Sequence, residues 1–381
     1  VRKAHILGVF VMHRRADIVV PALPHFGEFL RRALEIAHLG LDIAAVDFLA
    51  IERAFALTIG RAELGCNFVQ LGRRAVADRS GHDDAVAQDV ELARDFGIEP
   101  ILAVHDPAYV AFLREAHDLW LAAGREGDAM GYVFPVVARR ALALDRIDAK
   151  IGAFSMDAST PIAAETWAAA YGGAQSALTA LDAVLGGDNA ALALCRPPGH
   201  HCGADYMGGY CYLNNAAIAA RAAQARGVRR IAILDVDYHH GNGTQDIFYD
   251  DGEVLFASIH ADPKTDFPFY WGHADERGRG QGEGATLNLP LPQGTDWAGY
   301  APALDTALDA VRAHGADLLI VSYGADTFAE DPISHFRLVR EDYGRMGKEI
   351  AALDLPTLVV MEGGYAVDAL GGNLAAFVGA L

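Results

Sequence analysis

The sequence predicts an α/β fold, a parallel sheet with helices packed on both faces. Three observations carry that prediction. From residue 190 onward, short apolar runs alternate with longer stretches of helical periodicity, the pattern of successive βα units. Each apolar run ends at once in polar residues, and open α/β sheets bind their ligands outside the carboxyl ends of the strands. Apolar residues make up 52% of the 381, enough to form a sizeable core.

Taken in order, residues 6–12 have strand character, and 26–39 and 44–58 have helical periodicity. Residues 73–89 are polar and read as a loop. No chemistry-bearing motif falls in the first 95 residues, which are set apart from 96–381. Asp106-Pro107 starts a helix, since Pro is tolerated in a first helical turn. Residues 124–151 are mixed and loop-like. Residues 165–185 form an Ala-rich helix stopped by Gly186-Gly187. Strands follow at 190–195, 231–236, 254–259, 318–323 and 357–361. Helices fall at 214–226, 300–313, 341–353 and 368–381.

Acidic residues outnumber basic ones, 50 to 31, for a formal charge of −19. That argues against nucleic acid, which needs clustered Lys and Arg. It suits cationic small molecules or basic peptides, or simply solvates the surface. Four cysteines without a C-x-x-C pair fit neither a disulfide framework nor a zinc knuckle, and a reducing cytoplasm is expected. No signal peptide is evident. The most apolar stretch, 43–59, carries Asp47, Glu52 and Arg53, so no membrane span is expected.

The chemistry collects at the strand ends. The run I-L-D-V-D-Y-H-H-G-N-G-T-Q carries Asp235, Asp237, His239 and His240. Asp237 and His239 stand at i and i+2, on one side of an extended segment. A carboxylate and an imidazole supply two of the three protein ligands of a catalytic zinc site. Asp326, after an apolar strand and a glycine, is the third; its plainer reading is a helix N-cap. The oxygen-rich Asp-His-Asp set suits zinc, iron(II), cobalt(II) or manganese(II). His200-His201 follow a rigid Pro-Pro-Gly, and adjacent histidines do not easily share a metal. They read as a proton-transfer pair, with Asp235 and Asn242 as candidates to fix their tautomers. Tyr365 follows Gly363-Gly364, and its phenol could stabilise an oxyanion. By itself it would read as a packing tyrosine.

Together R-P-P-G-H-H, G-G-Y-C-Y-L-N-N-A, I-L-D-V-D-Y-H-H-G-N-G-T-Q, F-A-S-I-H, G-A-D-T-F-A-E-D-P-I-S and M-E-G-G-Y resemble the arginase/deacetylase superfamily. Within it the chain is most similar to histone deacetylase-like amidohydrolases of the bacterial acetylpolyamine type, from about residue 101 to the end. The resemblance implies an arginase/deacetylase-like single domain, a mostly parallel sheet of about eight strands. It implies zinc on Asp237, His239 and Asp326, acid/base work by His200 and His201, and carbonyl polarisation by Tyr365. Tyr210 and Phe267 would wall a narrow channel. Asp235, Asp237, His239, Ser258 and Ile259 would hold a structural potassium ion, and a second would sit near Phe248, Asp251 and Val254. A homodimer is implied, with 124–151 as counterpart of the loop that builds it. The substrate would be a small acetylated cationic amine. A rim glutamate expected of the polyamine enzymes is replaced by Ser159, with Asp148 and Asp157 as candidate substitutes. The alternative is an acetyl-lysine deacetylase, whose substrate presents the same acetamide on a similar stem. Residues 1 to about 95 do not follow the start of the family's pattern.

Overall fold

The computed structural model of the chain describes residues 68–71, 89–135 and 142–381. The strand expected at 6–12 and the helices expected at 26–39 and 44–58 lie outside the described residues. Eight strands form one sheet: β1 (Phe68–Leu71), β2 (Asp89–Leu92), β3 (Ala190–Leu194), β4 (Ile231–Asp235), β5 (Val254–Ala261), β6 (Thr286–Leu291), β7 (Leu318–Tyr323) and β8 (Thr357–Met361). Their spatial order is β2-β1-β3-β8-β7-β4-β5-β6. Every pairing from β3 to β6 is parallel, and β1 and β2 extend the sheet antiparallel beyond β3. The sheet has the expected eight strands, and it includes two segments from the first 95 residues.

The helices are α1 (Glu99–Leu102), α2 (Pro107–Ala122), α3 (Ile147–Ala153), α4 (Thr166–Leu185), α5 (Asn215–Ala225), α6 (Asn242–Phe248), α7 (Trp297–His314), α8 (Arg340–Ala351) and α9 (Val367–Val378). Asp106 caps α2 as its sequence implies, accepting from the Ala108 and Tyr109 N–H groups. The strands alternate their side chains between two cores. Leu234 and Val236 pack with Tyr300, Tyr343 and Phe377 of α7, α8 and α9. Ile231 and Ile233 pack with Ala177 and Ala217 of α4 and α5 on the opposite face. Burying a parallel sheet on both faces is what makes its strands apolar runs rather than alternating ones.

The expected elements need correction at several places. Residues 147–153, expected within a loop, form α3. It has two turns and no side-chain cap, too short for a periodic signal to stand out. Strands β1 and β2 were not expected, and neither was β6. Strand β6 lies at the sheet edge, is half-exposed, and carries Pro290, whose missing N–H is tolerated on an edge strand. The closing helix ends at Val378 rather than at the last residue.

From β4 the chain runs outward through β5 to β6, and from β7 it runs the other way to β8. The neighbours β4 and β7 therefore mark the point where strand direction of travel reverses, the place where such sheets open a crevice. His105 anchors the approach to this crevice. Its buried ring accepts the Asn214 N–H at 2.9 Å, and Asn214 in turn caps α5 and donates to Cys202 O and Thr244 Oγ1. Burial drops the His105 pKa to about 4. The unfolded chain, near 6.5, then binds the proton first as pH falls, so the neutral ring's stabilisation is complete above 6.5 and lost by about 4. The loss amounts to about 3 kcal/mol. We expect the denaturation midpoint of the protein to fall more steeply between pH 7 and pH 4.5 than that of His105→Gln. Parallel curves would refute it.

Candidate active site

At the β4–β7 crevice three donors from two strand ends converge. Asp237 and His239 follow β4, and Asp326 follows β7; their ligand atoms lie within 4.8 Å of one another. His239 Nδ1 stands 2.9 Å from Asp326 Oδ2 and 3.4 Å from Asp237 Oδ1. Both carboxylates are fully buried. Glycines make this closeness feasible. A Cβ on Gly363 would stand 2.8 Å from both carboxylates, and one on Gly324 would overlap Asp237. The Gly363 N–H donates to Asp237 Oδ2 at 2.9 Å, and the Tyr238 N–H to Asp326 Oδ1 at 2.9 Å.

Burial and the neighbouring Asp237 push the Asp326 carboxyl up to about 7. Asp237 moves the other way, because His200 and His239 outweigh its own burial. Two buried carboxylates crowded on one imidazole are costly unless a cation sits among them. The donor set, two oxygens and one nitrogen, fits a divalent metal with a position left open. A second group, His200, Cys211 and Glu362, is as closely spaced. Its members are spent on other contacts, Cys211 on Gly209 O and Glu362 on backbone N–H groups.

The tandem histidines lie against this trio, with rings 4.0 Å apart. Each Nδ1 has its own partner. His200 Nδ1 meets Asp235 Oδ2 at 3.0 Å, and His201 Nδ1 meets Asn242 Oδ1 at 2.7 Å. These are the partners expected from the sequence. A carboxylate partner favours imidazolium, while an amide oxygen fixes a neutral ring with its Nε2 lone pair free to accept. Burial would lower both rings. At His200 the carboxylates of Asp237 and Asp235 overcome it and lift the pKa to about 10. At His201 burial and the neighbouring His200 and His239 hold it well below 6.5. His200 Nε2 stands 3.8 Å from Asp237 Oδ1. His240 points away, fully buried, with Nε2 on Asn288 Oδ1 at 3.1 Å.

Aromatic rings line the approach. Phe267 stands edge-on to His201 at 5.0 Å and lies 6.2 Å from His239. Tyr210 lies 6.0 Å from Tyr365 and is 41% exposed. Gly209 before it has a positive φ, and a Cβ there would strike the His201 ring at 2.2 Å. Burial, then Asp326 and Asp237, push the Tyr365 phenol up, so it stays protonated as a donor.

The other expected residues are placed as follows. Asp235, Asp237 and His239 lie together, and the β4–β5 register sets Asp235 opposite Ser258. Ser258 bonds His260 Nδ1 at 2.8 Å, and Ile259 is buried beside it on β5. Asp251 pairs with Arg221, which also covers the Phe248 ring. Asp148 is not free: Arg146 at 2.6 Å and Arg125 at 3.0 Å neutralise it. Asp157 lies beside the mouth, accepting the Gly209 N–H at 2.6 Å and the Thr160 hydroxyl at 2.9 Å. One contributor carries no role in the sequence reading. The buried Glu362 accepts the Gly199 and His200 N–H groups at 2.7 and 3.1 Å, and Ser322 Oγ–H at 3.0 Å. An acid beside Gly-Gly at a strand end was visible; its partners, 163 positions away, were not.

Residues 74–381 match the family model described as the histone deacetylase domain. Acetylpolyamine amidohydrolase 2 of Pseudomonas aeruginosa is 53% identical over 285 residues, 75% of this chain and 83% of its own. Acetylpolyamine amidohydrolase of Mycoplana ramosa is 48% identical over 301 residues, 79% of this chain and 87% of its own. The crystal structure of acetylpolyamine aminohydrolase from Burkholderia pseudomallei superposes with a TM-score of 0.73 at 46% identity, covering 76% of this chain and 84% of that one. No helix among the described residues is long and apolar enough to cross a membrane.

Proposed function

The chain belongs to the histone deacetylase family of hydrolytic deacetylases, and from that premise we propose that it hydrolyses the acetyl amide of acetylated polyamines, giving acetate and the free amine. The observation that carries the reading is the juxtaposition of the Asp237–His239–Asp326 trio with two histidines whose Nδ1 partners differ. The names of the similar enzymes support the choice of amine.

Asp237, His239 and Asp326 would hold the metal, zinc in the first place, with iron(II), cobalt(II) or manganese(II) also suited to the donors. When bound, it supplies Lewis-acid polarisation of the amide carbonyl and acidifies the attacking water. His201 Nε2 takes that water's proton, because Asn242 keeps its other nitrogen protonated. His200, held against Asp235, offers a proton to the departing nitrogen. Tyr365 O–H donates to the developing oxyanion. Tyr210 and Phe267 sheath the aliphatic stem and keep bulk water out. Asp235, Asp237, His239, Ser258 and Ile259 would surround a potassium ion beneath the trio, and a second would lie by Phe248, Asp251 and Val254. The free buried cysteines Cys195, Cys202 and Cys211 accord with a cytoplasmic setting.

The exposed Phe269 beside Phe267, the half-buried Asp157 and a formal charge of −19 favour a substrate with a distal ammonium. The test sets N-acetylputrescine against an acetyl-lysine peptide and reads acetate release. The diamine should win in kcat/KM by at least about tenfold, the equivalent of about 1.4 kcal/mol of extra contact. A faster peptide would assign the protein to acetyl-lysine instead.

A further inference from the structure

We propose that Asp331 is a positioning residue for Tyr365, clamping the turn that carries the phenol onto the loop that carries Asp326. The inference rests on the proposed role of Tyr365.

Asp331 is buried, 6% exposed as a residue, on the loop that leaves β7, five residues beyond Asp326. Its Oδ2 accepts the Tyr365 N–H at 2.7 Å and the Ala366 N–H at 3.2 Å. Its Oδ1 accepts the Ile333 N–H at 3.1 Å, and its own N–H donates to Phe328 O at 3.0 Å. The carboxylate is thus oriented by its own loop before it reaches across. Both oxygens are engaged by backbone donors, so the group is fully used without any contact to the acid/base histidines.

The turn it holds needs such a clamp. Gly363 and Gly364 precede Tyr365, and Gly364 has φ +136°, a conformation that L side chains rarely adopt. A Gly-Gly pair fixes little by itself. At its inner end the turn is tied by Gly363, whose carbonyl accepts the Ala325 N–H at 2.8 Å and whose N–H reaches Asp237. At its outer end the Asp331 carboxylate takes the N–H groups of Tyr365 and of Ala366, the residue that caps α9. The charge also sits at the positive end of that 12-residue helix, which strengthens both bonds. One side chain therefore sets the backbone from which the phenol projects, relative to the loop that supplies a metal donor. A misplacement of about 1 Å at a reacting group can cost roughly a hundredfold in rate.

The experiment is a double-mutant cycle of Asp331→Ala and Tyr365→Phe on the metal-loaded protein, with N-acetylputrescine as substrate. Metal content and amide hydrogen exchange over residues 362–367 are read alongside. We expect Asp331→Ala to lower kcat at least tenfold with KM changed less than threefold and metal content unchanged. Exchange at Tyr365 and Ala366 should rise. In the Tyr365→Phe background the same change should cost little more, because the group being positioned is gone. Asp331→Asn, which keeps one acceptor oxygen, should recover part of the loss, and it serves where the alanine variant fails to fold. Fully multiplicative losses, or loss of metal in both Asp331 variants, would overturn the inference while leaving the role of Tyr365 intact. Full activity of Tyr365→Phe itself would overturn both.

Discussion

Tyr365→Phe should lower turnover of N-acetylputrescine by about 10²- to 10³-fold, the loss seen when one oxyanion donor is removed. The ring remains, so its packing against Tyr210 at 6.0 Å is kept and only the hydroxyl is lost. Burial and two nearby carboxylates hold that hydroxyl protonated, the state in which it can donate. The donor would act on charge that appears only as water adds to the carbonyl. The loss should therefore fall on kcat and kcat/KM alike, with KM nearly unchanged. Metal content measured in parallel should match the parent protein. A variant as fast as the parent would remove Tyr365 from the mechanism.

The other large effect concerns the metal. Treatment with a chelator should reduce acetate release to background, and re-addition of zinc, iron(II), cobalt(II) or manganese(II) should restore it to different extents. The same treatment should lower the thermal midpoint, since a cation at a hundredfold its Kd stabilises the native state by about 2.7 kcal/mol. Asp326→Asn should abolish both responses. It keeps the shape of the side chain and removes the charge that burial and Asp237 already make costly. Chelated protein that is metal-free by mass spectrometry yet fully active would refute the assignment.

The strand ends were legible because each combines an apolar run with polar residues that make no sense in a core unless they serve a site. Asp237, His239, Asp326, His200, His201, Asp235 and Asn242 do meet in one crevice. What escaped was set by long-range backbone contacts. Glu362 finds its partners across 163 positions, and no local spacing announces that. Asp331 lies inside the motif G-A-D-T-F-A-E-D-P-I-S, yet its partners at Tyr365 and Ala366 are 34 and 35 positions away. Asp148 reads as an available acid, yet Arg125 and Arg146 consume it, and arginines 23 and two positions away give no periodic cue. Strand β6 was hidden by its proline and its exposed edge, and α3 by its brevity.

The trio that gathers at the crevice is shared between two neighbouring strands. Asp237 and His239 belong to the end of β4, and Asp326 to the end of β7, whose pairing joins Ile231 to Leu318. Closing so long a chain segment is among the slower steps of folding. Until β4 and β7 pair, a chain holds at most two of the three donors together. On the metal assignment proposed above, capture of a cation would in this sense be a late checkpoint of assembly. Occupancy by metal would then report that the two halves of the sheet have found each other, and only chains that had passed it would go on to turn over substrate.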